Sequence, residues 1–374
     1  NFTAGIYASV IPAIQQHFSI SQDLSISGLS FFACGVAFGP VLAAPISEIY
    51  GRRYIYLLSS PITIICLAGT GAARNFQTVA VLRFFTGLSG SPAMAVGGGT
   101  IADLWDISTE PLGSLMLLLM VVFTFVGAEL GPAAGGYLVD NRGWRWAFWV
   151  PMMLNGCVWL FSLGVRETYR DLLLQKKSHG RVGTQSSPSR RFLSVLGITF
   201  SRAVYMLLTE PILLLVSLYG AFALGVFYLF YVAYPYILSR VYSFGLKDIG
   251  LAYISLAVGS LLAIPAAIAI DKTLYQRARA KTPDGRPPPE ARMYGAMVPS
   301  GLLPFSLLWL AWSSHRGVPW ISTVLSAALF GLCQVLLFTY YSAYMVDIYR
   351  DKAGASALAG NGLLRYGDIN GVYR

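Results

Sequence analysis

The chain has 374 residues, of which 55% are hydrophobic and 12% charged, with a net charge of +10 and a mean hydropathy of +0.59. A soluble domain carries about twice that charged fraction, and no soluble core could hide so much apolar surface, so a soluble globular domain is excluded and a polytopic, all-α membrane protein expected. The basic residues lie in breaks between apolar runs, where they orient a membrane protein, which argues against a nucleic-acid partner.

Apolar runs of spanning length predict helices near 1–16, 28–46, 54–73, 77–104, 112–139, 145–165, 209–234, 247–270, 293–313, 318–346 and 354–366. Between the second and third lies Gly39-Pro-Val-Leu-Ala-Ala-Pro-Ile-Ser-Glu48-Ile-Tyr-Gly51-Arg52-Arg53. Gly51 allows a tight turn there, and the arginines stop the chain at a headgroup boundary.

The fourth run opens with Leu82-Arg83-Phe-Phe-Thr-Gly87-Leu-Ser-Gly90 and closes with Gly-Gly-Thr-Ile-Ala-Asp103-Leu-Trp105. An arginine within a span is expensive, so Arg83 either snorkels from the helix end or faces protein or water with a partner. The fifth carries Gly127-Ala-Glu129-Leu-Gly131-Pro132-Ala-Ala-Gly135-Gly136. Gly127, Gly131 and Gly135 lie four apart and strip one helix face for close packing, while Pro132 removes a backbone hydrogen bond. Glu129 at that depth reads as a proton carrier or cation site if it faces a cavity, and as a static ion pair if it faces Arg83. Trp144-Arg-Trp146 reads as an aromatic belt at the membrane surface.

A basic linker, 166–208, separates two halves, 1–165 and 209–374. In the second half Phe227, Tyr231 and Tyr234 share a helix face, as do Gln334 and Tyr341 further on. Such aromatic stripes are more often packing than binding surface. Asp271-Lys272-x2-Tyr275 is a degenerate counterpart of Glu48-x-Tyr50-Gly-Arg-Arg, the internal repeat expected of a two-half transporter. Taking the 48–53 turn as cytoplasmic places eighteen lysines and arginines on that side and six on the other, the bias that sets orientation.

These stretches together resemble the major facilitator superfamily of transporters, in the form typical of fungal drug–proton antiporters. Two residues depart from its usual pattern: Glu48 stands where the superfamily usually has aspartate, and Glu129 where it usually has an apolar or neutral residue. The resemblance implies two pseudo-symmetric six-helix halves, with about eleven helices in this chain and the pattern incomplete at both ends. It implies a cytoplasmic gate of Glu48, Gly51, Arg52, Arg53 and Asp103, proton coupling through Arg83 and Glu129, and an antiporter motif of Gly127, Gly131, Pro132, Gly135 and Gly136. A substrate cavity would be lined by Phe227, Tyr231, Tyr234, Gln334, Tyr341 and Asn361.

The activity implied is proton-coupled efflux of a small amphipathic compound (drug, toxin or secondary metabolite) by a monomer. The partners would be the lipid bilayer, substrate and protons, in the plasma membrane or alternatively the vacuolar one. No cofactor is expected beyond the proton gradient, and no metal or enzymatic constellation: His17, His179 and His315 lack metal spacing. The alternatives are a non-transporting remnant or membrane sensor of the same fold, or a carrier for a small polar or cationic solute.

Overall fold

The computed structural model describes residues 1–105, 110–169, 172, 205, 208–280, 290–315 and 317–349. Most of the expected linker, the expected helix over 354–366 and Asn361 lie outside those residues. Among the described residues the secondary structure is helical, with no strand.

The helices are α1 (Phe2–Phe18), α2 (Gln22–Tyr50), α3 (Arg52–Gly71), α4 (Phe76–Gly90), α5 (Pro92–Leu104), α6 (Pro111–Arg142) and α7 (Trp146–Ser162). After the linker come α8 (Pro211–Val241), α9 (Leu246–Ala252), α10 (Ile254–Ile270), a π-helical turn Asp271–Tyr275, α11 (Gln276–Ala280), α12 (Ala291–Ser313) and α13 (Trp320–Tyr349). Among the described residues seven stretches are long and apolar enough to cross a membrane, including Leu112–Arg142, Pro211–Val241, Leu246–Tyr275 and Trp320–Met345.

The single helix expected over 77–104 is two, α4 and α5, meeting at Ser91. Pro92 has no backbone N–H to continue the ladder, so the run breaks there. Pro132, by contrast, sits inside an unbroken α6. Gly51 has φ +101, a conformation that side chains disfavour, and it turns α2 into α3 within one residue.

The described helices fall into two compact units. One comprises α1, α6, α9 to α12 and most of α8 and α13; the other comprises α3 to α5 and most of α2 and α7. In the first, Leu118, Val121 and Val122 of α6 pack with Ala263 and Ala267 of α10, Ala296 of α12, and Val335 and Leu336 of α13. Small alanines in that core let the helices approach closely, which is how helices associate where lipid is as apolar as leucine. In the second unit Ala43, Ile55 and Val96 join α2, α3 and α5.

Trp144 is not a lipid-facing anchor. It is buried, with the rings of His17, Phe18 and Phe148 against it and the Arg145 guanidinium over it. The end of α1 covers it.

Candidate functional site

The α6 motif positions the site. Gly131 lies against the backbone of Gly5 and Ile6 in α1, closer than any side chain would allow, and Gly135 lies against Ser9. Gly127 is looser, and Gly136 faces Leu246 at the start of α9. Pro132 leaves the Ala128 carbonyl without its usual helical donor, and Gly5 of α1 presses against that carbonyl. Ser9 Oγ donates to the Pro132 carbonyl at 3.1 Å. The small-residue seam is thus where α1 docks, which turns Glu129 towards the helices on the other side.

Glu129 is fully buried. It lies 13 residues from the α6 end at Arg142, about 20 Å along the helix. Ser260 Oγ of α10 donates to its Oε1 at 2.8 Å, and Gln334 Nε2 of α13 donates a short hydrogen bond to the same oxygen. Ser260 also reaches the Gly331 carbonyl at 3.4 Å. The Tyr231 phenol of α8 is within interaction range of both Glu129 and Gln334, and Tyr253 stacks behind it at 6.1 Å. No cationic side chain faces the carboxylate among the described residues.

Aromatic rings surround this polar cluster. Phe125, one turn before Glu129, meets Phe227 at 6.2 Å and Phe338 at 5.3 Å, both edge-to-face. Phe330, one turn before Gln334, meets Phe227 edge-to-face at 5.6 Å and stacks on Phe230 at 3.9 Å. Tyr234 packs on Phe230 and Tyr253 and donates to the Ala252 carbonyl at 3.3 Å. Tyr341 lies at the margin, tilted against Phe338. Of the residues expected to line a cavity, Gln334 bonds Glu129, Tyr231 lies within its range and Phe227 packs on Phe125 one turn away, whereas Tyr234 stands further out, against Phe230 and Tyr253.

Arg83 belongs to the other unit. Seven residues into α4, it is fully buried, so it does not snorkel. Its Nε donates to the Gly28 carbonyl at 3.3 Å, and its guanidinium stands 4.5 Å over the Phe32 ring.

At the α2–α3 turn, Arg52 Nε meets Asp103 Oδ2 at 3.1 Å, and Arg52 Nη1 donates to Ser47 Oγ at 2.8 Å. Arg53 donates to the Leu163 carbonyl at 3.4 Å. The Glu48 side chain lies outside what is described. One partner was not anticipated: Glu167 accepts from the backbone N–H groups of Arg52 and Arg53 at 2.9 and 3.1 Å. It caps the otherwise unpaired start of α3.

A second charged cluster has the same plan. Arg292 Nε meets Asp347 Oδ2 at 3.1 Å, Arg292 Nη2 donates to Ser114 Oγ at 3.3 Å, and the guanidinium lies 3.9 Å over Tyr275. Burial raises the Asp347 carboxyl above the ordinary aspartate value, against the opposing pull of Arg292. Asp271 accepts from Tyr340 Oη at 3.3 Å. Arg52–Asp103 joins the start of α3 to the end of α5, and Arg292–Asp347 the start of α12 to the end of α13.

Comparison with known proteins agrees with this architecture. The model of the Major Facilitator Superfamily matches residues 1–366, and the chain belongs to that family of membrane transporters, which are not enzymes. The MFS-type transporter paaT of Penicillium rubens is 30% identical over 97% of this chain and 67% of its own length. Two Saccharomyces cerevisiae proteins are also 30% identical: Polyamine transporter 4, over 97% of this chain and 59% of its own length, and "Probable drug/proton antiporter YHK8", over 94% and 70%. The chain therefore spans roughly three fifths to seven tenths of these relatives. The fold matches a structure of the proton:xylose symporter XylE with TM-score 0.70 at 15% identity, covering 100% of this chain and 84% of that one.

Proposed function

We propose that this transporter exports a small amphipathic compound in exchange for protons, by alternating access between two halves, 1–165 and 209–374. The observation that carries the reading is Glu129, a buried carboxylate in mid-helix with hydroxyl and amide partners and no facing cation among the described residues. An ionised carboxylate in such a place is costly. Taking up a proton removes the cost, and a conformational change that rewets or repartners the group releases it. That is the property a coupling residue needs. Arg83 serves the same cycle from the other unit as a fixed buried charge, and the Arg52–Asp103 contact biases the gate. The relatives named as a probable drug/proton antiporter and a polyamine transporter support the carriage of small organic compounds, in one case coupled to protons.

The test is export from proteoliposomes holding the full-length protein, with an imposed proton gradient and a panel of amphipathic compounds. Active export should collapse when the gradient is dissipated. Glu129→Gln should abolish gradient-driven export and leave substrate exchange intact. Export by Glu129→Gln with unchanged pH dependence would place the coupling elsewhere.

A further inference from the structure

Among the described residues the Arg292 cluster holds two carboxyl groups to one guanidinium. Arg292 Nε meets Asp347 Oδ2 at 3.1 Å, and Arg292 also acts electrostatically on Asp271, whose Oδ1 accepts from Tyr340 Oη. Asp271 and Tyr275 lie four residues apart on the π-helical turn, and the guanidinium stands over the Tyr275 ring. One cation therefore serves both carboxyl groups. The Asp347 side chain is 8% exposed, and its other oxygen, Oδ1, is buried with no hydrogen-bond partner among the described residues. The further charged side chains described at these helix ends, Glu110, Lys272, Arg277 and Glu290, are exposed, where water screens them.

A buried carboxylate is tolerated beside a paired cation, whereas an additional one is an uncompensated charge. With both carboxyls ionised the cluster would carry one net negative charge out of water, and an anionic oxygen without a donor. We propose that Asp271 and Asp347 together form a one-proton site, in which Arg292 keeps one carboxyl ionised and the other holds a proton. This site is separate from Glu129, and it does not depend on the export reading.

The same groups select a proton over other ligands. Arg292 repels a metal ion or an organic cation, and the carboxyls repel an anion. A water molecule could donate to Asp347 Oδ1 but would leave the excess charge in place. Because the two carboxyls share a guanidinium, the proton belongs to the pair and not to either residue. Burial raises the Asp347 carboxyl against the pull of Arg292, in the direction such a site requires. The cluster also joins four elements: Arg292 of α12 reaches Ser114 at the start of α6, the Tyr275 ring of the π-helical turn and Asp347 of α13. A bound proton favours that junction. Where the helix ends part and water reaches the carboxyls, both ionise and the proton leaves.

Stability should follow the proton. The folded pair binds it more tightly than the unfolded chain does, so the contribution is fully present at acid pH and lost as the pH rises through the pair's own value. With one carboxyl removed, a single anion faces a single cation and no proton is needed.

The experiment follows thermal unfolding and carboxylic-acid C=O infrared absorption of the purified full-length protein in detergent, from about pH 5 to about pH 8. The wild type should melt several degrees lower at the alkaline end and lose a carboxylic-acid band on the way. Asp271→Asn keeps an acceptor for Tyr340 and should lose that band, flatten the fall and match or exceed the wild-type melting temperature at the alkaline end. Glu129 is present in both proteins and cancels in the comparison. Asp347→Asn should lose the same band, and it carries the test if Asp271→Asn does not purify as a monodisperse protein. A band and a pH slope that neither substitution changes overturn the proposal. So does an Asp271→Asn protein destabilised equally at every pH, which is the mark of a merely structural contact. A band removed by one substitution and untouched by the other would assign the proton to a single residue and overturn the paired site. Export that fails altogether leaves these readouts in place, so the two readings are decided separately.

Discussion

Arg292 and Asp347 are 3% and 8% exposed, against 12% and 19% for Arg52 and Asp103. Removing one member of a buried pair strands the other and costs about 3–5 kcal/mol, whereas a pair open to water is worth about 1 kcal/mol or less. Arg292→Ala should therefore lower the melting temperature in detergent by several degrees more than Arg52→Ala, as read by intrinsic fluorescence. Equal shifts would show that the more buried pair is no costlier to break than the more exposed one. Composition and spacing could pick out Arg52 and Asp103, but Arg292 looks like one more loop charge. A signal was present all the same: Ala102-Asp103-Leu-Trp105 and Val346-Asp347-Ile-Tyr349 are the same small-acid-aliphatic-aromatic sequence closing α5 and α13. Glu129 was visible as an anomaly, but its partners were not. Ser260 and Gln334 lie 131 and 205 residues away, and nothing local in a helix announces a contact made across that distance.

Among elements, α6 depends most on backbone contact. A Cβ on Gly131 would meet the backbone of Gly5 and Ile6, whereas at Gly127 the nearest atom is Phe2 N at 3.7 Å, an ordinary contact. Gly131→Leu should push α1 off α6 and lower both melting temperature and folded yield, while Gly127→Leu should be tolerated far better. Size-exclusion profiles of the two variants decide it, and equal damage would mean that the seam acts through something other than α1. Glu167→Gln tests the start of α3 in the same spirit. It keeps one acceptor for the N–H groups of Arg52, Arg53, Thr168 and Tyr169, removes the charge that favours a helix N-terminus, and should cost about 1 kcal/mol. A melting temperature unchanged from wild type would show that water serves the cap equally well. Apolar runs located most described helices to within a few residues, but α2 starts six residues before the expected 28–46, α8 runs seven residues beyond the expected 209–234, and α11 was not expected. Two breaks within runs have local causes: Pro92 splits one run, and Tyr253 interrupts α9 and α10 in another. Which helix fills the Gly131 seam was not legible, because a glycine face states only that something comes close.

For the whole molecule, the order of motifs along the chain was enough to identify the family, since each occupies its own helix or turn. What organises the molecule in a membrane is the distribution of basic residues. Eighteen lysines and arginines fall on the side of the 48–53 turn, the linker and the 271–292 and 347–353 segments, and six on the other. Long apolar helices permit either orientation, and basic flanks near the span ends bias insertion towards keeping them in the cytoplasm. The α6–α7 turn should then be outside and α11 inside. Asn141 and Gln276 are both exposed there, so each can carry a single cysteine in a background lacking Cys34, Cys66, Cys157 and Cys333. A membrane-impermeant maleimide should label Asn141→Cys in intact cells and Gln276→Cys only after permeabilisation. The opposite pattern would invert the molecule and place the Arg52–Asp103 contact at the outer gate. Labelling of both in intact cells would mean a mixed orientation, and that the charge bias is too weak to decide it.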